Sequence, residues 1–356
     1  MLKLLVKNSD GTTNITQLAQ YITWSGDYQQ CARSLEFGLL SSPVDENIPA
    51  VKCELGNAVM LYQDSTELFE GWVFFRTKST DSSIIDITCH DRGIYLKKNE
   101  ASYKFTNMTP EAVTKRVAAD FGFTVGEVAS TGLTFSRNFL GVSLYNIIET
   151  MYTLASEKNG KKYHILFRGA KLCVVEKTVT DSTLIIQGGS NLMDATMFES
   201  IENMVNQVAI YDKNDKLIKT VKNSDAVRLY GVMQSYLKQS ENEDTAAKAQ
   251  KLLDDNGVEQ KITLNNLGNI ANVTGGTVVV HEPYTGLYGL FYIDSDVHTW
   301  KNGLYLNKLV VNFKNIMDEK DAGTLPNATG SKTASTESTE SVAGSDVQWN
   351  SIAGIE

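Results

Sequence analysis

The chain has 356 residues, of which 42% are hydrophobic and 21% charged, and its formal net charge is −9. This is an ordinary globular balance, long enough for two or three domains with more than one core, and it excludes a disordered scaffold. An acidic chain with no strongly basic window also lacks the electrostatic footprint of a dedicated nucleic-acid binder, and Lys161-Lys162 reads as a helix end. Cys31, Cys53, Cys89 and Cys173 are scattered, with no CxxC and no histidines at metal-ligand spacing, so neither a disulfide framework nor a zinc site is expected. Residues 1–7 hold too short an apolar stretch for a signal peptide, and no run approaches the ~18 apolar residues of a membrane span. The chain is expected to be made in the cytosol without a leader and to stay off the membrane.

In chain order, residues 21–24, 35–39, 58–62, 69–75 and 84–90 are short β-branched or aromatic runs separated by polar turns, which predicts strands of a barrel or a sandwich. Thr109-Pro110-Glu111 then marks a helix start: a hydroxyl cap, proline at the first position and an acid at the positive end. Val113, Val117 and Phe121 share a face, and Gly122 stops the helix. A second helix follows Ser143, with Leu144, Ile147, Ile148, Met151 and Leu154 as its buried stripe, and ends at Asn159-Gly160. Residues 163–167 and 172–175 form a hairpin around Gly169-Ala170. Strands return after residue 181, with 207–211 pairing 217–221, then a lone helix over 241–255 stopped by Gly257. Lys301-Asn302-Gly303 is the sharpest hairpin signal, because Asn-Gly tolerates the positive φ angles of a tight turn. Residues 329–345 are nearly all Ser, Thr, Gly, Ala, Glu and Lys, too polar to fold alone. Trp349, Ile352 and Ile355 beyond them read as a docking segment or a frayed end.

Candidate chemistry is sparse. Cys89-His90-Asp91 resembles a nucleophile, base and orienter, but adjacent side chains on a strand point to opposite faces. His281-Glu282 opens like a zincin motif, yet Pro283 disfavours the helix that motif needs. Asp294, Asp296 and His298 alternate on one strand, where they could ligate a divalent cation or form a polar, solvent-facing hairpin edge or subunit contact. Trp300, Tyr305 and Tyr284 could stack on sugars in a carbohydrate- or receptor-binding module. There is no phosphate-binding loop, no Gly-x-Ser-x-Gly elbow and no dinucleotide fingerprint. No catalytic residue and no cofactor are expected.

Three stretches carry a family resemblance: 68–74 with 86–96, 200–212, and 293–318 with its His298-Thr299-Trp300-Lys301-Asn302-Gly303 run. They resemble the XkdQ/YqbQ-type proteins of phage-like elements over roughly residues 1 to 320, leaving the tail uncovered. Gly71, Trp72, Asp91, Asn206, His298, Trp300 and Gly303 are the motif positions, expected in structural or interface roles. The resemblance implies a baseplate hub of contractile tails, similar to phage late control protein D. It implies an α+β, predominantly β fold in which two tail-tube-like β-barrel domains are separated by a small α/β domain. The expected boundaries are 1–96 for the first barrel, 97–180 for the α/β domain, 181–318 for a second barrel with one flanking helix, and 319–356 for a flexible polar tail. The implied partners are two further copies in a homotrimer, the tail tube protein, the central spike protein, the tape-measure protein and baseplate wedge components, with nucleic acid at most passing through the channel. The tail is too short and polar for a fused peptidoglycan-cleaving domain, so a cell-wall hydrolase is the less favoured alternative.

Overall fold

The computed structural model describes residues 1–42, 44–179, 185–239, 244–320 and 323. Both strand-rich regions form, and they hold more strands than the sequence singled out, Leu2–Asn8, Gly11–Asn14, Leu192–Ser200, Glu259–Leu267 and Thr277–Glu282 among them. The first supplies Leu2–Asn8, Gly11–Asn14, Ala19–Asp27, Ser34–Leu40, Ala58–Gln63, Thr66–Lys78 and Ile84–His90. The second supplies Ile185–Gln187, Leu192–Ser200, Glu259–Leu267, Thr277–Glu282, Leu287–Lys301 and Leu304–Asn312. Every second residue turns inward: Ile22 and Trp24, Leu35, Phe37 and Leu39, Ile85, Ile87 and Cys89 are buried, while Thr23, Ser25, Glu36 and Thr88 face the other way.

The barrel expectation is corrected. All thirteen strands belong to one sheet, and among the described residues it closes into no barrel. The reason lies in Leu287–Lys301, a strand of 15 residues that spans about 50 Å at ~3.3 Å per residue. Its first half pairs with Thr277–Glu282. Its second half pairs antiparallel with Ala19–Asp27, from Ser295 opposite Asp27 to Lys301 opposite Tyr21. The sheet nevertheless curls around two cores. Leu4, Val6, Leu35, Phe37, Leu61 and Ile87 fill one lobe, and Ile262, Leu264, Val280, Phe291, Ile293 and Leu309 fill the other.

The α/β unit between the lobes forms where expected. Thr109 Oγ1 accepts from Ala112 N to cap Pro110–Asp120. Ser143 Oγ accepts from Asn146 N to cap Leu144–Asn159, which stops at Gly160 with φ 72°. Tyr163–Arg168 and Lys171–Glu176 make the hairpin, and Thr124–Val128 adds a third, parallel strand. The pair Glu100–Met108 and Phe135–Ser143 and the short helix Gly93–Lys98 were not legible in the sequence.

The second strand-rich region departs further from expectation. Gln207–Tyr211 pairs Leu217–Lys222 as predicted, but it also pairs Gln234–Lys238, and these three strands form a separate small sheet. Two helices accompany it rather than one, Ser224–Tyr230 and Thr245–Asp255. The second of these packs Ala249 and Leu253 on Val208 and Ile210, so it covers this small sheet and does not flank a barrel. Asp244 caps it through Ala246 N and Ala247 N; the acidic start expected at 241–243 lies outside the described residues. So do 329–345, Trp349, Ile352 and Ile355.

Candidate functional site

The two lobes are fastened by a buried polar cluster in which the sequence candidates meet. Arg33 lies with its guanidinium 3.9 Å above the Trp24 ring. It donates through Nη1 to Asp296 Oδ1 at 3.0 Å and through Nη2 to Oδ2. Thr274 adds two more donors to Asp296, its N–H at 2.7 Å and its hydroxyl at 2.6 Å. Burial alone would raise this carboxyl, but the Arg33 charge and the bonds from His298 and Arg33 outweigh it and hold Asp296 far below the usual carboxylate range. A buried ion pair needs this saturation, since its desolvation otherwise exceeds its Coulomb gain.

His298 is equally enclosed. Asn307 Oδ1 accepts from Asn269 N and from Asn272 Nδ2, which fixes the orientation of its amide. Asn307 Nδ2 therefore donates to His298 Nδ1 at 2.9 Å, where the Tyr305 hydroxyl also approaches at 2.8 Å. The proton then sits on Nε2, facing Asp296 Oδ2 at 3.1 Å and the Asn272 carbonyl at 3.1 Å. Neither ring nitrogen keeps a lone pair for an ion.

Asp294 stands apart. A register shift between Ile293 and Ser295 makes it a bulge residue, and it faces Lys177 at 3.8 Å instead of Asp296. Its carboxyl is pushed up to about 6 by burial, against the pull of Lys177. The alternation that suggested one shared face for 294, 296 and 298 is broken by this bulge, and the solvent-facing edge is corrected too, because all three are buried. Among the described residues no three His, Cys, Asp or Glu side chains are grouped to hold a metal ion.

The remaining motif residues are fasteners. Trp300 stacks on Tyr305 with centroids 4.4 Å apart and planes 11° apart. Asn302 and Gly303, at φ 53° and 76°, make the two-residue turn. At Gly71 a Cβ would lie 2.4 Å from the His90 carbonyl oxygen, so only glycine lets the two strands approach. Asp91 is buried and accepts from Arg33 N and Gly93 N, which turns the chain into Gly93–Lys98. Burial raises its carboxyl to about 7 despite those bonds. Asn206 takes Met233 N on Oδ1 at 2.9 Å and gives Nδ2 to Gly231 O at 2.7 Å, stapling the small sheet.

The Cys89-His90-Asp91 run divides as strand geometry requires. Cys89 is buried with its thiol pushed well up, chiefly by burial, and His90 Nδ1 bonds Ser34 Oγ at 3.0 Å. Glu282 folds onto Tyr284 N and Thr285 N and thereby shapes a turn. One surface feature was missed. A bulge between Val73 and Phe75 leaves both Phe74 and Phe75 against His90, and Phe74 also meets Tyr95, which packs on Trp72. Arg92 covers Trp72, and Phe75 remains 61% exposed. The Phe-Phe pair was the available signal, since strict alternation would bury one of them.

The fold that holds these residues is that of phage tail proteins. The 43 kDa tail protein of prophage MuSo2 from Shewanella oneidensis matches with a TM-score of 0.70 at 14% identity, covering 88% of this chain and 97% of that one. A chain of a Francisella PdpA–VgrG complex matches with a TM-score of 0.55 at 11% identity, covering 91% and 60%. Residues 22–312 match the family model described as YQBQ-like, and the chain belongs to that family. The phage-like element PBSX protein XkdQ of Bacillus subtilis (strain 168) is 26% identical over 312 residues, 85% of this chain and 94% of its own length. The resemblance read from the sequence is borne out.

Proposed function

We propose that this chain is the structural baseplate hub of a contractile phage tail or phage-tail-like particle. Three copies form a pseudo-sixfold ring that joins a sixfold tail tube to a trimeric spike. The observation that carries the reading is the two-lobed open sheet, in which each lobe has its own core and the polar candidates are consumed in fastening the lobes. Three such chains supply six tube-like lobes, and the open edges of each sheet are available to pair with or pack against a neighbouring copy.

The outer face of the sheet suits a channel wall. Thr263, Val297, Ser25 and Ser34 lie on it in the second and first lobes, with Thr299, Thr23, Glu36 and Thr88 beside them. This face mixes small hydroxyls with Val297, Leu306, Glu36 and Lys308, a largely polar lining past which a tape-measure protein could run. The exposed Phe74–Phe75 bulge supplies an aromatic anchor of the kind that dominates protein interfaces. The tube, spike and wedge proteins are the further partners. The homologue XkdQ belongs to a phage-like element, and the matched structures include a prophage tail protein and a PdpA–VgrG complex.

The protein in this reading carries out no reaction of its own. The sugar-binding alternative keeps Tyr284, which is 98% exposed, but not the Trp300 and Tyr305 pair, which stack on each other; the hydrolase alternative loses support because Asp296 and His298 are saturated. Mass measurement and electron microscopy of the purified chain with its spike test the proposal. A threefold ring is expected, and Phe75→Ser should weaken it at least tenfold. A chain that stays monomeric at high concentration with its spike refutes the hub.

A further inference from the structure

The chain does not leave the molecule when its last strand ends at Asn312. Residues 315–320 run back over the α/β unit, and Met317 enters that unit's core. On the helix Leu144–Asn159, Tyr145, Glu149 and Thr153 recur every four residues and form one buried stripe. The returning segment lies along this stripe. Tyr145 donates its hydroxyl to Asp318 Oδ2 at 2.8 Å, and Lys320 N donates to Thr153 Oγ1 at 3.1 Å. Between those contacts sits Glu149, 1% exposed, whose Oε1 has no hydrogen-bond partner.

The other side of the segment is bolted by Lys177, whose side chain is wholly buried. Its Nζ donates to Ile316 O at 2.7 Å, lies 3.8 Å from Asp294 on the large sheet, and lies 5.8 Å from the Tyr28 ring centroid of the first lobe. Asn315 Nδ2 returns a bond to Lys177 O at 2.7 Å. Glu319 pairs with Lys162 at 2.9 Å and with Lys251 of Thr245–Asp255 at 2.7 Å. Six residues thus touch the α/β unit and the small sheet's helix, and through Lys177 they are linked to the large sheet.

We propose that residues 315–320 are a releasable strap holding the α/β unit against the sheet, and that Glu149 is its proton-dependent release. The strap stays closed while the Glu149 carboxyl is protonated and lets go when it ionises. The groups facing Glu149 make ionisation expensive for the closed state. From its own helix comes Tyr145, whose hydroxyl is committed to Asp318. From the strap come Asp318 and Lys320, and Lys320 Nζ is already held by Asp318 at 2.8 Å. From the first lobe comes the buried Cys31 thiol, and from Gly93–Lys98 comes Lys97, whose ammonium lies 5.3 Å from the Tyr145 ring centroid. An ionised Glu149 would be a second buried negative charge beside Asp318, with an oxygen that no donor meets.

Burial first, and Asp318 second, push this carboxyl well above the ordinary range. A raised value sets the sign: the stabilisation is complete below the unfolded-chain value and is lost as pH rises through the shifted one. The strap therefore loosens on the alkaline side.

Hydrogen exchange of the full chain between pH 5 and 9, corrected for intrinsic exchange, tests this without reference to the hub reading. Protection of amides 316–320 is expected to fall at least tenfold across that range while the large sheet stays protected. Glu149→Gln should keep the protection and abolish its pH dependence. Asp318→Asn, which leaves the helix intact, removes only the second of the two causes and should weaken the dependence without abolishing it. Lys177→Met should lower protection of 316–320 at every pH without flattening the profile. The proposal is overturned by a wild-type profile flat from pH 5 to 9, by unchanged dependence in Glu149→Gln, or by loss of protection that runs in parallel through the whole chain.

Discussion

Replacing Arg33 with methionine removes the cation from the joint between the lobes while keeping a long apolar stem over Trp24. Asp296 is then left fully buried with only Thr274 and His298 as donors. Breaking a buried pair at one end costs about 3–5 kcal/mol, because the remaining charge has lost its counterion but not its desolvation penalty. The pH profile makes the test specific. In the wild type the Asp296 carboxyl is held down in the folded state, so its stabilisation is present above the unfolded-chain value near 4 and is lost as pH falls. In Arg33→Met that stabilisation is already missing. The stability gap between the two proteins should be full above about pH 5 and should narrow below about pH 4. Urea denaturation at a series of pH values, followed by tryptophan fluorescence, measures it. A gap under about 1 kcal/mol, or one that is the same at pH 3 and pH 7, refutes the assignment of Arg33–Asp296 as the joint's charged fastener.

The other predictions concern single fasteners. His164 is buried and held down to about 3, first by burial and then by Lys177 and Arg33. Its contribution is present above the unfolded-chain value near 6.5 and is lost as pH falls, by about 2 kcal/mol at pH 5; His164→Gln should flatten that part of the stability profile. Gly71→Ala places a Cβ against the His90 carbonyl and should destabilise the first lobe by about 1–3 kcal/mol in the same denaturation assay. Asn206→Ala strands Met233 N and Gly231 O, a loss of about 1–3 kcal/mol. Hydrogen exchange should rise over residues 207–238 and stay unchanged in the large sheet.

Much of the secondary structure was legible because its causes are local. Thr109-Pro110 and Ser143 cap helices through bonds to residues three positions on, and Asn302-Gly303 turns a hairpin through its own φ angles. Alternation in 21–24, 35–39 and 84–90 fixed which side chains turn inward, and Cys89 and His90 fell on opposite faces as a period of two demands. Glu100–Met108 and Phe135–Ser143 escaped notice because bulges interrupt their alternation. Ser224–Tyr230 escaped because none of its residues is buried and no apolar stripe marks it.

What the amino-acid order determined by itself was the helices and hairpins with local caps and turns, the inward face of the strands that alternate, and membership of the YQBQ-like family. The tertiary structure alone decided that Leu287–Lys301 would leave its own lobe to pair with Ala19–Asp27. It also decided that Asp296 would find Arg33 across 263 positions, and that Met317 would close the core of a unit built from residues far before it. Period and capping depend on neighbours a few residues apart, so a linear reading contains them. Strand partners, buried counterions and returning segments depend on which distant surfaces exclude water together, and that is settled only when the whole chain has packed.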